Sequence, residues 1–194
     1  TTGAQNTAVG RNSLAANTTA ADSTAVGHSA LAANTTGASN TAVGKNALVA
    51  NTTGTQNTAV GAFAGDGTDD GTNNVAVGFE ALSANCGSGN VALGTRAGKI
   101  TTADNNTFVG LNAGTATTSG ASNTAVGALA LDANTTGNNN AAMGQAALGA
   151  NTTGTDNIAI GNLALQSNTT ADNNVAVGKS ALVATTTGDS NVGM

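Results

Sequence analysis

Apolar residues fall at fixed places in a seventeen-residue frame that runs from Asn6 to the end of the chain, most cleanly as N-T-A-V-G-K-N-A-L-V-A-N-T-T-G-T-Q over residues 40–56. The glycine of the frame stands at Gly10, Gly27, Gly44, Gly61, Gly78, Gly94, Gly110, Gly127, Gly144, Gly161 and Gly178, and only the two gaps between Gly78 and Gly110 are sixteen residues. A fixed short period means stacked units, each resting on its neighbours. Seventeen residues are too few for two helices and a turn, and the β-branched residues of N-T-A-V, with a glycine in every unit, disfavour helix. Two short strands and two turns fit the length.

Side chains alternate faces along a strand, so the pattern also predicts which way each position points. In the first strand, x-A-V, the third position is Val9, Val26, Val43, Val60, Val77, Leu93, Val109, Val126, Met143, Ile160 and Val177, which predicts an inward face. The middle position is Ala8, Ala25, Ala42, Ala59, Ala76, Ala92, Ala125, Ala142, Ala159 and Ala176, with Phe108 in one coil. A small residue held on an outward face predicts a surface where a second copy of the chain packs. The second strand, x-x-A-L, carries Leu14, Leu31, Leu48, Leu82, Leu131, Leu148, Leu165 and Leu182, but Gly65, Gly98 and Gly114 in three coils. Each lost Leu removes about 2 kcal/mol of burial. Phe63, Ile100 and Phe108 are expected to refill those layers in part, and residues 61–120 to be the least regular stretch. Asn before each first strand suits a tight corner and can bond along the stack; glycine after it supplies a corner with positive φ. The expected architecture is all-β: a parallel β-solenoid (β-roll) of about eleven 16–17-residue coils, roughly 50 Å long at the usual strand spacing.

Composition narrows the picture. The chain has 194 residues, no Trp, Tyr or Pro, three Phe and 8% charged residues, so repeated small contacts must replace a core of large aromatics. A net charge of −5, without a basic stripe, argues against a nucleic-acid partner. No apolar run approaches the ~20 residues that cross a bilayer, so no membrane contact is expected within this segment. The repeat is already under way at Thr1 and begins again at Asn191, so residues 1–194 read as one repetitive segment of a longer fibre.

The inventory holds little catalytic chemistry, and neither an enzyme nor a cofactor is expected. His28 is the only histidine and reads as a surface side chain, with no Ser/His/Asp set and no phosphate-binding loop. Cys86 reads as a tolerated small side chain in a turn. Asp66, Asp69 and Asp70 crowd one turn and are weak candidates for Ca²⁺, since their spacing matches neither an EF-hand loop nor the nonapeptide of calcium β-rolls. Asn17, Asn34, Asn51, Asn105, Asn134, Asn151 and Asn168 satisfy the glycosylation pattern, which turn chemistry already explains. Stacked pairs such as Thr35-Thr36, Thr52-Thr53, Thr135-Thr136 and Thr152-Thr153 raise a rival reading, a monomeric solenoid binding ice or glycan.

At N-x-A-[VIL]-G the chain resembles a known family. N-V-A-V-G at 74–78, N-I-A-I-G at 157–161 and N-V-A-V-G at 174–178 look like the head repeats of YadA-type trimeric autotransporter adhesins, and the longer A-L-x-A-N-T-T-G unit is similar to repeats of phage tail fibres. The period here is longer than that of the adhesin heads. The resemblance implies parallel β-roll coils in a homotrimer, no catalytic residues, and a structural and adhesive role outside the cell, on a cell surface or a virion. It also implies a cell-surface glycan or protein receptor. A subunit that polymerises end to end into a filament is a further alternative.

Overall fold

The computed structural model describes residues 2–194 and shows a parallel β-solenoid without helix among them. Twelve short strands, from β1 (Thr7–Val9) to β12 (Val192–Gly193), pair each with the next in chain order to make one parallel sheet along the rod. Identical coils impose identical register: Thr41 faces Thr58 and Ala42 faces Ala59. Register survives the two short coils, where Val75 faces Val91 and Ala92 faces Phe108. The missing residues are absorbed in the far turns, so the stretch 61–120 keeps its sheet intact.

The sheet is turned the other way from the alternation argument. Ala25, Ala42, Ala59, Ala125, Ala142, Ala159 and Ala176 are fully buried, while Val43, Val60, Val77, Val126, Ile160 and Val177 are exposed. The reason is the width of the coil. Inside, the strand alanine meets a second alanine and a leucine from the opposite wall, as with Ala47 and Leu48 or Ala147 and Leu148. That space admits a methyl group from the sheet and nothing larger, because Leu already fills it.

The opposite wall is not a strand. Its backbone alternates into the left-handed region, with Asn46 at φ 58° and Leu48 at φ 49°, and equivalent pairs recur in other coils. Left-handed backbone costs a non-glycine residue roughly 1–2 kcal/mol. Here it is held by bonds in both directions along the rod: the Asn46 amide donates to His28 O at 2.9 Å and the Leu48 amide to Ala64 O at 3.0 Å. Burial of Leu48 completes the compensation. The glycine corner is as expected, with φ between 128° at Gly178 and 140° at Gly44.

Phe108 explains two of the three missing leucines. Its ring is fully buried in the strand-alanine row. A Cβ on Gly98 would lie 2.6 Å from its Cδ2, and one on Gly114 would lie 2.2 Å from its Cε1. One inward Phe thus fills the space of two leucines on the opposite wall. At Gly65 the neighbouring Leu48 leans into the gap instead, its Cδ2 2.9 Å from where a Cβ would stand. Phe63 and Ile100 do not refill the interior: Phe63 is half-buried and Ile100 is exposed.

Phe108→Ala should cost about 3–5 kcal/mol in urea unfolding. Adding Gly98→Leu and Gly114→Leu, which restores the ordinary coil, should recover most of that loss. A triple variant no more stable than Phe108→Ala would refute the exchange.

Candidate functional site

Two features run the whole rod, one inside and one outside. Inside, the Asn before each strand, replaced by Ser23 before the second, forms a ladder. The Asn57 amide N–H donates to Asn40 Oδ1 at 2.9 Å, Asn74 to Asn57 at 2.9 Å, Asn140 to Asn123 at 3.0 Å, and Asn174 to Asn157 at 3.0 Å. In most coils the Nδ2 then reaches a carbonyl at the far corner of the following coil, as Asn40 does to Gly54 O at 2.7 Å and Asn140 to Gly154 O at 2.8 Å, whereas Asn174 Nδ2 is buried without a partner. The residue before each of these Asn, such as Gln56 or Asp156, takes the left-handed conformation, rather than the Asn itself.

A second ladder stands at the N-T-T corner, where Asn51 Nδ2 donates to Asn34 Oδ1 and Asn151 Nδ2 to Asn134 Oδ1, both at 2.9 Å. Asn34, Asn51, Asn134, Asn151 and Asn168 are buried, so in the folded chain they are structural and closed to glycosylation. Asn17 is half-buried and Asn105 is exposed. Cys86 enters this buried corner, its Sγ 3.1 Å from Thr68 Oγ1, and burial pushes its thiol pKa up.

Outside, the sheet presents two rows along its length, the first and third positions of each strand. The third-position row is apolar throughout, with Val43 36% exposed, Leu93 39%, Met143 43% and Ile160 40%. The row beside it runs Thr24, Thr41, Thr58, Val75, Val91, Thr107, Thr124, Ala141, Ile158 and Val175. This face takes the place of the predicted alanine stripe. Ala25, Ala42, Ala59, Ala76, Ala92, Ala125, Ala142, Ala159 and Ala176 are enclosed by their own chain and cannot meet a second copy, and only Ala8, in the first coil, is exposed. The signal that could have found the outward row was the narrowness of a seventeen-residue coil, not the size of the side chains.

The remaining candidates stand apart. Among the described residues no three His, Cys, Asp or Glu side chains come together to hold a metal ion. Asp69 and Asp70 are exposed, and Asp69 accepts a bond from Thr52 Oγ1. Asp66 turns partly inward, where burial raises its pKa. His28 is exposed beside Ser29. The first Thr of each pair donates its hydroxyl to the next coil, Thr35 Oγ1 to Thr52 O at 3.0 Å and Thr135 Oγ1 to Thr152 O at 2.9 Å, while the second, as at Thr36, Thr53, Thr136 and Thr153, is exposed. Among the described residues no helix is long and apolar enough to cross a membrane.

A groove of about 520 Å³ interrupts the wall opposite the sheet, lined by Leu129, Asp132, Ala146, Gly149, Ala150, Gln166 and Ser167. Burial raises the pKa of Asp132 at its edge. No protein-family model, curated protein or solved structure matches the chain.

A raised carboxyl pKa means the folded chain binds a proton more readily than the unfolded one. Its destabilisation is therefore full at neutral pH and is relieved as pH falls through the folded pKa. The parent should gain stability relative to Asp132→Asn when pH is lowered from about 7 to about 4, the ordinary carboxylate range. Parallel stability–pH curves for the two proteins would contradict this.

Proposed function

We propose that this chain is a structural and adhesive segment of an extracellular homotrimeric fibre, on a cell surface or a virion, that spaces and displays binding surfaces for a glycan or protein receptor. The observation that carries the reading is the outward face of the sheet. An apolar row from Val43 to Val177 lines that face, exposed on the isolated chain at every coil but that of the half-buried Val109. Such a row on a rod is a surface that another body covers. A second copy fits best, because it repeats the same coil rise and can meet every coil with an equivalent one. The resemblance of N-V-A-V-G and N-I-A-I-G to trimeric adhesin heads supports three copies rather than two. Three parallel rods would also multiply any weak contact on their outer walls through effective concentration.

Sedimentation equilibrium should give three times the chain mass. Val60→Glu with Ile160→Glu should reduce it to one chain without unfolding it, since both side chains point outward. Ala42→Glu with Ala159→Glu should unfold the coil instead, by burying charge without a partner. A parent that sediments as a single chain would reject the trimer and favour the solitary solenoid. Length-distributed species would favour end-to-end filaments.

A further inference from the structure

The groove on the wall opposite the sheet arises from one break in the repeat. At the tenth place of the frame, neighbouring coils carry Asp132 and Gln166, and between them stands Gly149. Other coils fill that place with Val49 or Val183. Removing one side chain from a continuous row leaves a depression one coil wide, its floor made by Gly149, Ala146 and Ala150. Leu129 closes one side, and Asp132, Gln166 and Ser167 set polar groups around the rest. The Asp132 carboxylate is bonded by its own backbone amide and by no side chain among the described residues, so acceptor capacity remains at the rim of an apolar floor. Its Oδ1 would lie 3.5 Å from a Cβ placed on Gly149, so it overhangs the depression.

We infer that this groove is a subsite for one pyranose ring of a neutral glycan. The ring's C–H face would lie on Ala146, Ala150 and Leu129. Two neighbouring hydroxyls would donate to Asp132, while Gln166 and Ser167 exchange hydrogen bonds with those farther round. The volume lies within the range of small-ligand sites, and an apolar floor with a few convergent polar groups is their usual composition. A carboxylate with no cation in the lining disfavours an acidic sugar. Fixing two hydroxyls at once separates a sugar from an apolar ligand, because a buried polar group left unpaired is costly. The groove lies off the sheet face, so copies packed through that face leave it open. The inference rests on the adhesive reading above and supplies its ligand class.

Saturation-transfer NMR with methyl hexosides at millimolar concentration tests it on the full chain, with ethanolamine as a competing probe. The parent should transfer to at least one hexoside. Asp132→Asn should weaken binding roughly tenfold, the loss of a charge-assisted bond. Gly149→Val should abolish it while leaving the fold intact, since Val49 and Val183 already occupy the equivalent place. No transfer to any hexoside, transfer undiminished in Gly149→Val, or binding of ethanolamine alone would overturn the proposal. Sedimentation of the same samples separates the two readings: a single-chain mass with hexoside binding retained sinks the trimer and leaves the groove standing.

Discussion

The interior of this coil is so narrow that it decides the rest of the structure. With Leu projecting from one wall, the other wall can offer only a methyl group. The sheet must therefore turn Ala inward and its larger residues outward. A globular protein would sort these residues by size and bury the larger ones. Here geometry outranks hydrophobicity, and an exposed apolar row is the result. The surface proposed for assembly is thus a by-product of how the core closes.

What the narrow interior lacks in apolar volume is replaced by ordered polar contacts. Asn40, Asn57, Asn140 and their equivalents are buried, and each joins its own coil to the next through both side chain and backbone. A buried amide is stabilising only when its partners are present. Repetition supplies them along most of the rod, where one coil offers the next the same donor and acceptor, while Asn17 Oδ1 and Asn174 Nδ2 stay unpaired toward its two ends. Where the sequence departs at the N-T-T corner, the second ladder ends: Asn51 Oδ1 is left buried and unpaired where the next coil carries Thr68, as is Asn168 Oδ1 where Thr185 follows.

The period, the parallel stacking, the glycine corner and the amide ladder were all legible in the sequence, because each depends on one residue type recurring at one place. The sheet's orientation was not. Alternation tells which residues share a face, but not which face is inside, and side-chain size pointed the wrong way. The left-handed wall was equally hidden, since Leu48 and Asn46 carry no sign that their backbone leaves the strand region. Phe108 was recognisable as a filler, yet its pairing with Gly98 and Gly114 required the stacking order in three dimensions. The groove at Gly149 escaped notice because a glycine in a glycine-rich repeat looks ordinary until its neighbours are superposed.

The exchange of two leucines for one phenylalanine also bears on how such a chain can change length. Ordinary coils are interchangeable, so duplication or loss of one whole repeat joins like to like and leaves every layer filled. The segment from Leu93 to Gly114 does not share that freedom. Phe108 needs a glycine in its own coil and another in the preceding one. A recombination that separates them would leave either a ring with no room or a void with no ring. Packing therefore ties these coils into one block, a fixed landmark in a rod whose ordinary coils could be added or removed one at a time.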